Sequence, residues 1–186
     1  VFNLKRTNFL PLNLEMAATH EMREICTEVV PAFCCIVPEK REELTTEGGL
    51  NVLNNIDFLC NFIKDIKNHD ISLSLFVDPD EEQIRASKDV GADAVELHTG
   101  KYSLLYKNDD YLDELHRIQK AAELSSKIGL GCHAGHGLDF ENVKNISSIN
   151  FIEELNVGHF LVSNSIFDGL EKTINKFRQI IDESRH

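Results

Sequence analysis

Short apolar runs recur along the chain, each closing on polar or glycine-containing residues. Residues 12–16, 33–37, 72–77, 94–97, 129–132 and 154–157 have the length and composition of buried strands. Between them the period changes. Leu50, Leu53, Ile56, Leu59, Ile63 and Ile66 recur at spacings of three or four, as do Leu112, Leu115, Ile118, Ala122 and Leu124. Such spacing puts one apolar stripe on a helix. Ile174, Phe177 and Ile181 carry the same pattern into a last amphipathic helix.

Strands that alternate with helices predict a parallel sheet, because each crossover needs a helix to cover a face. Two architectures satisfy that alternation. An open doubly wound sheet should carry a glycine fingerprint after its first strand, and none follows Met16. A closed barrel of eight units takes roughly 250 residues, about 31 per unit. Six units at that spacing account for the 186 residues. The expected fold is therefore α/β, a (β/α)8 TIM barrel with about six βα units in this chain. Residues 1–186 are expected to form a single domain, since no linker or composition break interrupts them. The start, Val1-Phe-Asn-Leu-Lys-Arg6, reads as neither a signal peptide nor a translation start. The first two units are expected to lie outside the chain, and the piece alone is expected not to turn over.

A net charge of −12 argues against nucleic-acid and anionic-membrane partners, which need basic surfaces. It leaves small anionic substrates open, because backbone N–H groups can hold a phosphate locally. No run of eighteen apolar residues is present, so no membrane span is expected. The five cysteines (Cys26, Cys34, Cys35, Cys60, Cys132) are odd in number and lack C-x-x-C spacing. They read as reduced thiols of a cytoplasmic protein, with Cys34 and Cys35 as strand residues.

In a barrel the chemistry sits at the carboxyl ends of the strands. Those ends carry Glu15, residues 38–41, Asp78, Glu96 with His98, residues 132–137, and Asn156 to His159. Four of the eight histidines (His98, His133, His136, His159) fall there, whereas His20, His69, His116 and His186 read as surface residues. Glu15, flanked by apolar neighbours, is an acid that is costly to bury unless it is paired or functional. His136 lies between Gly135 and Gly137, where the backbone can approach a ligand. Gly158-His159 follows the last strand, a place where barrels build phosphate sites. Residues 45–49 are either a mobile lid or an ordinary loop. Lys40 is a candidate Schiff-base nucleophile, although charged neighbours suggest a solvated loop. His133-x-x-His136 with Asp78, Glu96 and His98 is a weaker candidate metal set, because the intervening glycine loosens the geometry.

Asn13-Leu-Glu-Met-Ala17, Val37-Pro-Glu-Lys-Arg41, Thr45-Thr-Glu-Gly-Gly-Leu50 and Ser74-Leu-Phe-Val-Asp78 together resemble the pyridoxine 5′-phosphate synthase family. So do Glu96-Leu-His-Thr-Gly100, Ala134-Gly-His-Gly-Leu138 and Glu154-Leu-Asn-Val-Gly-His159, in order over essentially the whole chain. The resemblance implies a (β/α)8 barrel, octameric, with no metal and no organic cofactor. It also implies condensation of 3-amino-2-oxopropyl phosphate with 1-deoxy-D-xylulose 5-phosphate to close a pyridine ring. By motif, Glu15 corresponds to the carboxylate base and His136 to the proton donor. Thr45 corresponds to a contact to the sugar phosphate; Gly137, Gly158 and His159 correspond to the group holding the aminoketone phosphate. Three departures stand out. The family's early segment, with another histidine and phosphate-binding arginines, has no counterpart. His133 stands where Asn is expected, and Ser163-Asn164 replaces an Ala/Gly-Arg pair. Two other readings stay open: a Schiff-base aldolase using Lys40, and a non-catalytic phosphate-binding barrel.

Overall fold

A computed structural model describes residues 1–7, 9–38 and 48–185. Its strands are β1 (Asn13–Ala17), β2 (Phe33–Val37), β3 (Ser72–Val77), β4 (Ala94–His98), β5 (Gly131–Gly135) and β6 (Glu154–Asn156). Its helices are α1 (Phe2–Thr7), α2 (His20–Val29), α3 (Ile56–Lys67), α4 (Glu81–Asp89), α5 (Gly100–Tyr106), α6 (Leu112–Lys127), α7 (Val143–Ser147), α8 (His159–Asp168) and α9 (Leu170–Ser184). The strands form one parallel sheet in the order β1-β2-β3-β4-β5-β6. An order that never reverses matters. Right-handed crossovers that always step the same way place their helices on one side of the sheet, as in a barrel. A doubly wound sheet would switch direction.

Alternation along each strand sorts the two faces. Cys34, Ile36, Leu73, Leu75, Val77, Val95, Leu97, Cys132 and Ala134 point towards the helices, and each is fully buried. Burial of each leucine, isoleucine or valine contributes about 1.5–3 kcal/mol, and this layer is the core. The helices meet it with matching stripes: Leu59, Phe62, Ile63 and Ile66 on α3, and Ile118, Ala121 and Ala122 on α6. Thr19 starts α2 as its N-cap, accepting from the Met22 N–H at 3.2 Å. At the amino end of the sheet, Asp93 ties Lys67 at 2.6 Å and the Leu73 N–H at 2.9 Å. That end holds the fold together and leaves the other free for chemistry.

The concave face is polar. Glu15, Cys35 and Ser74 lie in register on β1, β2 and β3; Phe76, Glu96, His133 and Glu154 do so on β3 to β6. Side chains from alternate strands meet across it, Cys35 of β2 and Asn156 of β6 both reaching Glu96 of β4. Layers built from alternate strands are the interior arrangement of a (β/α) barrel.

Two sequence expectations need correction. The fifth strand starts at Gly131 and runs to Gly135, not over 129–132, because His133, Ala134 and Gly135 pair with Glu96, Leu97 and His98. Leu50 is not helical: a 3-10 turn at Leu53–Asn55 precedes α3, and the Leu50 N–H is held by the Phe76 carbonyl at 2.7 Å. Among the described residues no helix is long and apolar enough to cross a membrane.

Candidate active site

Glu96 is the centre of the concave layer. Only 6% of it is exposed, and its Oε2 accepts from the Asn156 amide at 2.7 Å and the Cys35 thiol at 3.4 Å. Burial pushes its pKa up to about 7, against the two hydrogen bonds, with the charges of Glu15 and Glu154 adding to the rise. Burial and the neighbouring Glu96 keep Cys35 a thiol, with its pKa well above the ordinary value. Hence Cys35 donates. A carboxyl poised near neutrality can both give and take a proton, which is what a general acid or base requires. Gly135 makes room for it: a Cβ there would lie 2.3 Å from Glu96 Oε1 and 2.8 Å from the Asn156 carbonyl. Gly135→Ala should destabilise the protein by about 1–3 kcal/mol in chemical denaturation, as overpacking does.

Glu15 sits one strand beyond Cys35 on the same face. It is exposed, on a strand that among the described residues pairs with β2 alone, so the expected burial cost does not apply to it. Its charge is nonetheless felt at Glu96 and at Cys35.

A second cluster lies where β3, β4 and β5 end. His98 Nδ1 is 3.1 Å from Asp78 Oδ1, and the imidazole is 5% exposed. The His98 bond, helped by the Gly49 backbone N–H, holds Asp78 below the usual carboxylate range against partial burial. An ionised Asp78 only accepts, so the Nδ1 proton points at it. His98 Nε2 has no hydrogen-bond partner among the described residues. The His98 ring stacks edge-on to Phe76, with centroids 5.0 Å apart, and lies 5.1 Å from the ring of His136. His136 itself has φ 83°, in the left-handed region, followed by Gly137 at 77°. A histidine there is strained, and such outliers gather at functional sites. The Thr99 hydroxyl, 2.7 Å from the carbonyls of Gly135 and His136, braces the turn, and the Asn142 amide donates to the Gly137 carbonyl at 3.2 Å.

The sequence-picked residues thus group unequally. Glu15 joins Glu96 on the concave wall, and His136 with Gly137 joins the His98 cluster. Gly158 and His159 are exposed at the start of α8, with Gly158 as a cap that has no side-chain bond and open space where a Cβ would go. Thr45 and Lys40 lie outside the described residues. His133 is in mid-strand rather than at a strand end, 3.8 Å from Glu154. Among the described residues no three of His, Cys, Asp or Glu converge as metal ligands would. Ser163 and Asn164, both partly buried, bond to local partners: Ser163 donates to the Phe160 carbonyl, and Asn164 donates to Asp168 and Thr173, tying α8 to α9. Glu96 and Thr99 were in motifs the sequence displayed, yet only burial and register give them roles.

The family model described as "Pyridoxal phosphate biosynthesis protein PdxJ" matches residues 1–183. The chain belongs to this family. Curated PdxJ-family relatives named pyridoxine 5′-phosphate synthase include one from Sulfurihydrogenibium sp. (strain YO3AOP1), 52% identical over 98% of this chain and 74% of the relative. Another, from Zymomonas mobilis, is 48% identical over 100% of this chain and 72% of the relative. This member is accordingly an enzyme of pyridoxine 5′-phosphate synthesis. Among solved structures, 3-keto-L-gulonate-6-phosphate decarboxylase from Vibrio cholerae superposes with a TM-score of 0.67 at 12% identity, covering 99% of this chain and 78% of that one. A xylose isomerase domain protein from Planctomyces limnophilus gives 0.57 at 14% identity, covering 94% and 72%. Likeness at that identity speaks to the (β/α)-barrel fold alone.

Proposed function

We propose that this PdxJ-family enzyme condenses 3-amino-2-oxopropyl phosphate with 1-deoxy-D-xylulose 5-phosphate, releasing phosphate and water as the pyridine ring closes. The observation that carries this reading is that Glu15 and Glu96 share the concave wall, the charge of Glu15 acting on Glu96, with the exposed His136 just past the end of β5. Imine formation, enolisation, dehydration and ring closure are proton transfers, and groups able to exchange protons near neutrality supply them. In this reading Glu15 is the base and His136 the acid. Glu96, partly protonated near neutral pH, returns protons between steps. Thr45 contacts the sugar phosphate. No metal or organic cofactor takes part, and the enzyme works as a homo-oligomer.

The phosphates serve as handles that hold both reactants together, turning a bimolecular encounter into an effectively unimolecular one. Gly137, Gly158 and His159 are assigned to the aminoketone phosphate. The N–H groups at the start of α8 have no side-chain cap, and the space beside Gly158 is open, which supports an anion at that end. In crystals grown with sulfate, the ion is expected at this helix start. Gly158→Val should raise KM for the aminoketone phosphate at least about tenfold more than for the sugar phosphate, since it fills the space a phosphate would take. Equal effects on both substrates would move the phosphate site elsewhere. The direct test of function is product analysis of the complete gene product with both substrates, in which pyridoxine 5′-phosphate and inorganic phosphate appear in equal amounts. A substrate fixed covalently to Lys40 by borohydride would instead support a Schiff-base aldolase, and binding without turnover a phosphate-binding barrel.

A further inference from the structure

Three consecutive residues at the end of β4 each touch His136 or its turn. The His98 ring lies 5.1 Å from the His136 ring, centroid to centroid, and is itself fixed by Asp78 and Phe76. Thr99 is fully buried, and its hydroxyl sits 2.7 Å from the carbonyl oxygens of both Gly135 and His136. Its N–H adds a bond of 2.8 Å to the Gly135 carbonyl. Thr99 is also the residue before α5, where a threonine ordinarily caps its own helix. Here it makes no capping bond, and the hydroxyl serves the His136 turn instead. Gly100 completes the set: a Cβ there would lie 2.6 Å from His98 Nε2 and 2.9 Å from His136 Cδ2. Only a residue without a side chain lets both imidazoles settle against the backbone.

A left-handed histidine relaxes unless its surroundings over-determine it. From this geometry we infer that Thr99 and Gly100 are positioning residues, which hold His136 in its strained backbone conformation and aim its imidazole into the site. The inference rests on His136 acting in proton transfer. It adds that the aim of His136 is set from β4, through a hydroxyl and a missing side chain that touch no reacting atom.

The test uses the complete gene product and combines kinetics with a thermodynamic cycle. Thr99→Val keeps the shape and removes the hydroxyl, Thr99→Ser keeps the hydroxyl, and Gly100→Ala drives a methyl group into the imidazole pair. Thr99→Val and Gly100→Ala should each lower kcat by at least about tenfold with KM for either substrate changed less than about threefold, because orientation is lost and binding is not. Thr99→Ser should restore at least about half of wild-type kcat. In a His136→Asn background, Thr99→Val should have no further effect on kcat, because a residue acting through His136 has nothing left to position. Histidine ring NMR should show the His136 signals displaced by Thr99→Val and restored by Thr99→Ser. Wild-type kcat in both Thr99→Val and Gly100→Ala, or an undiminished effect of Thr99→Val without His136, would overturn the inference. A fully active His136→Asn variant would instead overturn the assignment of His136 beneath it.

Discussion

In the complete gene product, Glu15→Gln and His136→Asn each lower kcat by about 10²–10⁴-fold, the range lost when a general base or acid is removed. Both substitutions keep size and hydrogen bonding close to the original. Both side chains are exposed, so no core packing is disturbed. Circular dichroism and the melting midpoint should accordingly match wild type while turnover collapses. The two losses should also combine less than multiplicatively, because residues serving one sequence of proton transfers act as a unit. Steady-state kinetics on the two single variants and the double variant are the measurement. A single variant that keeps more than about a third of wild-type kcat would remove that residue from the mechanism.

Glu96 gives the second large effect, and it is visible in stability as well as rate. Its native pKa of about 7 lies above the ordinary 4.5 because burial penalises the charged form. Between those values the folded state holds a proton that the unfolded state has released. Stability therefore falls as pH rises through this window, by about 3 kcal/mol for a shift of this size. Gln has no proton to lose, yet its amide oxygen can still accept from Asn156 and Cys35. Glu96→Gln should match wild-type stability near about pH 5 and exceed it by up to about 3 kcal/mol near about pH 8. Turnover should meanwhile drop by roughly tenfold or more, as expected on losing a tuned acid–base group. Urea denaturation across that pH range reads the first result. A stability difference that does not change with pH would mean that Glu96 enters the fold already ionised, and its role in proton return would fall with it.

Much of this was legible in residue order alone. The strand and helix sequence follows from periodicity because each strand buries one whole face against helices, leaving runs such as Ile71 to Val77 almost wholly apolar on that side. The fifth strand was misplaced for a local reason. Gly135, His136 and Gly137 read as turn chemistry, which pulled the expected strand end back to Cys132, whereas pairing with His98 extends the strand to Gly135. Local signals do not report a partner 37 residues away. The same limit hides the roles of Glu96 and Thr99. Whether a carboxyl is poised near 7 depends on what the curvature of the sheet brings over it, here Cys35 from β2 and Asn156 from β6. Whether a threonine caps its own helix or braces another strand's turn depends on the register of β4 against β5. Glu15 and His136 stand out as candidates in the sequence because an acid in an apolar strand and a histidine between glycines are locally odd, and local oddity is what a sequence displays.

The backbone at His136 also places the enzyme's interests in opposition. With φ at 83°, this position would be more comfortable for a glycine, which carries no Cβ to clash. A protein chosen only for robustness would drift towards glycine there and lose its imidazole. On the proposed role of His136, a histidine here is a concession of stability to chemistry, and the surrounding braces set how large a concession the fold can tolerate. Engineering for heat resistance that treats this turn as a defect to be repaired would select, step by step, against the reaction.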